Sequence, residues 1–147
     1  MKKQLLFIIV TTFTFGGSVL AQDWQKDFNK AKEIASKADK PIILVFQGSD
    51  WCAPCIKLNR EVWSTDTFKK YAADHYVMMQ ADFPRKSKNA LSEAQTNSNA
   101  SLAETYNKNG IFPFVVVMDS NGNVLGETSY KKTTSSEYIK ILDGFVD

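Results

Sequence analysis

The apolar and polar positions divide the chain into alternating short runs and longer periodic stretches. From Pro41 to Phe46 every residue is apolar, and Gly48, Ser49 and Asp50 end the run after Gln47. So short a run without polar alternation predicts a strand covered on both faces. Ile56, Leu58, Val62 and Trp63 follow, set among Lys57, Asn59, Arg60 and Glu61, which predicts a short amphipathic helix opening at Cys52. Upstream, Trp24, Phe28, Ala31, Ile34, Ala35 and Ala38 recur at helical spacing. They predict a first helix over 23–40, capped by Asp23, with Trp24 and Phe28 packing it on the sheet.

Downstream, Ser64, Thr65 and Asp66 offer a new cap, so the helix after Cys52 bends or restarts before Phe68, Tyr71 and Ala72. Tyr76 to Phe83 reads as the next strand. Pro84 to Gly110 is less regular: Arg85, Lys86 and Lys88 open it as a solvated face, and Ser, Asn, Thr and Gln dominate its middle. Leu91, Ala94, Leu102, Ala103 and Tyr106 give a broken helical pattern, read as one or two helices stopped by Asn109-Gly110. Ile111 to Met118 is another apolar strand, with Pro113 near its start, where strands tolerate proline. Asp119 to Gly122 is a hairpin signal and Asn123 to Tyr130 the returning strand. Thr133 or Thr134 opens a last helix with Tyr138, Ile141, Leu142 and Phe145 on its buried face and Glu137 as capping partner. A helical crossover between the first two strands requires them to pair in parallel.

The N-terminus stands apart. Met1-Lys2-Lys3 is a short basic start, Leu5 to Phe15 an apolar run broken by threonines, and Val19-Leu20-Ala21 supplies small residues. That is the pattern of a secretory signal peptide over 1–21, cut after Ala21 to leave a single domain over 22–147. The uninterrupted apolar stretch is shorter than the roughly 20 residues a spanning helix needs. Removing it takes away Lys2 and Lys3, so Lys+Arg falls from 18 to 16 against 16 Asp+Glu. The exported chain is electrically balanced and has no basic block of the kind that tracks a phosphate backbone, so no nucleic-acid partner is expected.

The chain holds two cysteines, Cys52 and Cys55, and one histidine, His75. Nothing remains for a structural disulfide framework, and in an oxidising compartment a vicinal pair points to redox chemistry. At the first turn of a helix, unpaired N–H groups and the helix dipole favour the thiolate, the reactive form. No metal is expected: a structural zinc site wants four ligands, and His75 carries no spacing that brings it to the cysteines.

Trp51-Cys52-Ala53-Pro54-Cys55 after an apolar strand resembles the active site of the thioredoxin superfamily. The longer string from Ile43 to Leu58, followed by Glu61-Val62, is similar to the secreted bacterial thiol:disulfide reductase and isomerase branch. The resemblance implies a thioredoxin fold: an α/β architecture with a central four-stranded mixed sheet, helices on both faces, and here a helical insertion before the strand led by Pro113. It implies that Cys52 is the exposed nucleophile and Cys55 the resolving thiol, forming a redox-active disulfide with no other cofactor. Pro113 matches the family's cis-proline, and Phe112 the residue whose backbone pairs with substrate, although a β-branched residue is usual there. Trp51 would shield the pair, Pro54 would fix the helix start, and Asp50 would lie at the surface as a supporting residue. Thioredoxins carry a buried carboxylate on the strand before the motif; the matching position is Phe46, so proton transfer is expected to rely on water.

The function expected is reduction or isomerisation of disulfides in exported proteins, in the periplasm or outside the cell, with a membrane or periplasmic thiol partner for recycling. Two alternatives from other classes are a client-binding module that keeps the fold without turnover and a soft-metal copper chaperone built on the dithiol. Ala53-Pro54 is close to the reducing Gly-Pro pair of thioredoxins, but the redox direction is set by thiolate stabilisation, which sequence does not display.

Overall fold

The computed structural model describes residues 22–146. The expected signal peptide over 1–21 lies outside them. Four strands, β1 (Ile42–Gln47), β2 (Val77–Asp82), β3 (Phe114–Met118) and β4 (Val124–Thr128), form one mixed sheet in the order β2-β1-β3-β4. β1 pairs in parallel with β2 and antiparallel with β3, and β3 pairs antiparallel with β4. β1 is therefore central, which is why its residues are apolar on both faces.

Alternation along β1 divides the core in two. Ile43 and Val45 point to one face with Met78, Val115 and Val117. That face is covered by α2 (Ala53–Leu58), α3 (Asp66–His75) and α5 (Ser135–Asp143), through Leu58, Phe68, Tyr138 and Leu142. Ile42, Leu44 and Phe46 point to the other face with Val116 and Met118, beneath α1 (Phe28–Ala38) and α4 (Glu93–Tyr106). Ala31 and Ala35, both fully buried, let α1 lie close to the sheet. A π-helical turn over Asn59–Trp63 follows α2, and Thr65 then caps α3 by accepting from the Phe68 N–H, the restart anticipated from Ser64-Thr65-Asp66.

Three expectations are corrected. The first helix starts at Phe28, capped by Asp27 rather than Asp23. Residues before it stay extended: the Gln25 N–H donates to the Met78 carbonyl (2.8 Å) and the Gln80 N–H to the Gln25 carbonyl (3.0 Å). The outer edge of β2 must satisfy its main-chain groups, and that demand outweighs the helical pattern. Trp24 consequently packs edge-on against Trp63, with ring centroids 6.1 Å apart, rather than under α1. In α5, Ile139 is buried with Tyr138 and Leu142, whereas Ile141 is half-buried.

The stretch over 84–110 forms a short 3-10 turn (Ser87–Asn89) and then α4. Two buried asparagines secure it. Asn99 donates to the Asp82 carbonyl (2.8 Å), while Asn107 donates to the Ile111 carbonyl (2.8 Å) and accepts from its N–H (2.9 Å). Gly110 then turns the chain at φ +60°, a conformation glycine adopts without steric cost.

Candidate active site

The turn between β1 and α2 builds the site. Gly48 accepts main-chain hydrogen bonds from Trp51 and Cys52, closing the turn. Cys52 is the N-cap of α2 in an extended conformation (φ −87°, ψ 98°), and its sulfur accepts the Cys55 N–H at 3.3 Å. Pro54 occupies the first helical turn, where its missing N–H is not needed. Cys52 and Cys55 form a disulfide, with Cα atoms 5.2 Å apart. A helix-start N–H aimed at Cys52 Sγ stabilises a thiolate there once the disulfide opens.

The cysteines are equally enclosed, each 4% exposed, which corrects the expectation that Cys52 is the more exposed. The disulfide turns Cys52 Sγ back over the first helical turn, onto the Cys55 amide. What distinguishes the two is position: Cys52 receives the N–H bond, and Cys55 lines a cleft behind the helix.

Trp51 lies flat against Gly48, where a Cβ would sit 2.3 Å from the indole. Its Nε1–H donates to the Phe83 carbonyl at 2.7 Å. Phe112 meets the Trp51 ring edge-on at 5.5 Å and Phe83 at 5.4 Å. The Phe112–Pro113 peptide is cis, Pro113 is buried, and its carbonyl accepts from Ser129 Oγ at 2.6 Å. Trp51 and the Phe112–Pro113 pair, about 60 positions apart in the sequence, thus meet at the disulfide turn. Ile56 and Ile111 remain 47% and 42% exposed on the same segments.

Asp50 is half-buried and structurally engaged. Its carboxylate accepts from the Arg85 N–H (2.9 Å), the Lys86 N–H (3.0 Å) and Asn89 Nδ2 (2.8 Å). The Arg85 N–H bond, foremost, and the Asn89 amide hold the Asp50 carboxyl below its ordinary pKa. Asp82 does the matching service for Ser49, accepting from its N–H (2.9 Å) and Oγ (2.6 Å). Two carboxylates therefore lash the turn before Cys52 to the end of β2 and the segment after it.

Phe46 does not sit beneath the cysteines. It is fully buried on the α1/α4 face, tilted against Phe114 with centroids 6.4 Å apart. The side chain that β1 offers to the cysteine face is Gln47, which donates to Gln80 Oε1 at 3.2 Å. Gln47, Gln80, Asn59, Ser49 and Trp24 line a cleft of about 370 Å³ with Cys55 and Ile56. Alternation along β1 was the available signal, since Gln47 is the one polar residue in that strand. Arg85 is exposed, as its place in a solvated face predicts, and its guanidinium carbon also lies 3.7 Å from the Trp51 ring centroid. His75 is exposed at the end of α3, stacked on Tyr71 at 3.8 Å, and takes no part in the site.

Residues 23–120 match the family model described as thioredoxin-like. The chain is 34% identical over 116 residues to the disulfide bond reductase DsbH of Chlamydia pneumoniae, covering 79% of this chain and 68% of that protein. The solved structure of a DsbH oxidoreductase superposes with a TM-score of 0.77 at 31% identity, over 88% of both chains. A disulphide isomerase from Xylella fastidiosa Temecula1, at 20% identity and a TM-score of 0.61 over 86% of this chain and all of that one, shares the fold. With the sheet order, the Cys52–Cys55 disulfide and these matches together, the chain belongs to the thioredoxin-like family.

Proposed function

We propose that the protein is an exported thiol:disulfide oxidoreductase that works chiefly as a reductase of disulfides in other exported proteins. The observation that carries this reading is the disulfide-bonded Cys52 sulfur at a helix start, accepting the Cys55 N–H, with the neighbouring Trp51 set against Phe112 of the cis Phe112–Pro113 peptide. The 34% identical relative is a disulfide bond reductase, which supports the reducing direction.

In the reduced protein the Cys52 thiolate attacks one sulfur of a substrate disulfide. The substrate S–S bond breaks, a new bond joins Cys52 to the substrate, and the departing thiolate takes a proton from solvent. Cys55 then loses its proton and attacks Cys52 Sγ, restoring the intramolecular disulfide and releasing the second substrate thiol. Two electrons pass from the protein to the substrate per cycle. The main chain of Phe112 aligns an extended substrate segment by strand addition. No carboxylate lies where thioredoxins keep theirs, so the Cys55 proton leaves through solvent in the cleft lined by Gln47 and Gln80. Export rests on the signal-peptide pattern over 1–21, and a thiol partner at the membrane or in the periplasm returns the electrons.

The test is reduction of insulin by the purified protein with a chemical thiol as donor. Turnover that disappears in Cys52→Ser and in Cys55→Ser supports the reading. Absence of turnover by the unaltered protein, with tight binding of unfolded clients retained, would replace it with the client-binding module.

A further inference from the structure

The carboxylates that brace the disulfide turn are engaged by hydrogen bonds, whereas the cations around it are exposed. Asp50 is committed to the Arg85 and Lys86 N–H groups and to Asn89, and Asp82 to Ser49. Arg85, Lys86, Lys88 and Lys57 are all exposed, and among the described residues none pairs with a carboxylate at ion-pair distance; the two such pairs are Lys37–Glu33 and Arg60–Glu61. One of these cations has a fixed place beside the residue that precedes Cys52. Asp50 positions the Arg85 main chain, and the Arg85 guanidinium rests over the ring of Trp51, the residue before Cys52. Contact through the π face costs a guanidinium none of its in-plane N–H donors, so its edge keeps the fork that matches a carboxylate. Around it, half-buried Trp51 and Phe112 and exposed Ile56 and Ile111 supply apolar contact.

We propose that Arg85 is a specificity-determining residue that selects substrate disulfides flanked by a carboxylate side chain, in a segment whose apolar residues lie on Phe112, Ile56 and Ile111. This rests on the oxidoreductase reading and adds the substrate class. The occupant is an acidic, partly apolar extended segment, because charge complementarity with an unpaired, positioned guanidinium favours it and disfavours a basic one.

The test uses three disulfides of similar shape: dithiodipropionate (dianion), bis(2-hydroxyethyl) disulfide (neutral) and cystamine (dication). Each oxidises the reduced protein by the two exchange steps above, leaving two small thiols and the Cys52–Cys55 disulfide. Rates with the charged reagents are divided by the rate with the neutral one, and that ratio is compared between the unaltered protein, Arg85→Lys and Arg85→Glu. Intrinsic reagent reactivity cancels in this comparison. The expected result is that Arg85→Glu lowers the anion preference and raises the cation preference, each on the order of fivefold at low salt and less at high salt. Arg85→Lys, which keeps the charge, retains most of the anion preference. Reaction with all three reagents in ratios that Arg85→Glu leaves unchanged overturns the proposal and spares the oxidoreductase reading. Reaction with none of them overturns both.

Discussion

The main-chain N–H of Arg85 donates to the Asp50 carboxylate at 2.9 Å, joining the residue before Trp51 to a segment 35 positions downstream. That bond, with those from Lys86 and Asn89, makes the stretch after β2 part of the disulfide turn. Asp50→Ala is expected to release residues 85–89 and lift Arg85 from Trp51. Amide hydrogen exchange at Arg85 and Lys86 should lose protection, while Asp50→Asn keeps an acceptor and retains part of it. Unchanged protection in Asp50→Ala would show that the contact positions nothing.

The same bond has a pH dependence of definite sign. The folded-state pKa of Asp50 is depressed, chiefly by the Arg85 N–H. Its contribution is therefore complete above the ordinary carboxylate range and is lost only as pH falls through the depressed value. Glu137 behaves likewise: hydrogen bonds from the Thr133 hydroxyl and the Thr134 N–H hold it down to about 2. An NMR titration should find both carboxylates still ionised where exposed acids without such bonds have begun to protonate. Titration of either at the ordinary value would contradict the geometry.

Gly48→Ala should destabilise the fold. The added Cβ would lie 2.3 Å from Trp51 Cε2, so the indole must leave Gly48 and break its bond to the Phe83 carbonyl. Overpacking of this kind costs typically about 1–3 kcal/mol. Urea unfolding measures it, and a change below about 0.5 kcal/mol would show that the Trp51 position is soft.

Gln47→Leu should slow release of the mixed disulfide more than its formation, because it places an apolar side chain in the cleft through which the Cys55 proton leaves. A loss of about tenfold in the second step is expected, below the roughly 10²–10⁴-fold of a positioned acid or base, because water rather than Gln47 carries the proton. Gln47→Glu should recover the rate and shift its pH profile. Equal effects on both steps would mean that Gln47 merely packs the site.

Much of this architecture was legible in order of strength of pattern. The apolar run of β1, the Cys52–Cys55 spacing, the Asp119–Gly122 turn and the Thr134–Glu137 capping box carry local signals, and each element stands where those signals place it. What was hidden depends on tertiary demand. Gln25 serves the edge of β2, so five residues of helical pattern stay extended. α4 packs through Leu102, Ala103 and Tyr106, and its tie to the end of β2 comes from buried Asn99, a polar residue the apolar pattern does not mark. Position counting matched Phe46 to the thioredoxin carboxylate, but the pleat turns Phe46 to the far face and presents Gln47 to Cys55. Arg85 looked like one of three solvated cations because its distinction, a place over Trp51, is conferred by Asp50 from another segment.

The most direct test of the central claim is the reduction potential of the Cys52–Cys55 disulfide, measured by equilibrating the purified protein with glutathione. The account predicts a reversible disulfide at a reducing potential, near the roughly −270 mV of thioredoxin. A value near about −120 mV would make the protein an oxidant that donates its disulfide, and failure to form a reversible disulfide would remove the oxidoreductase function altogether.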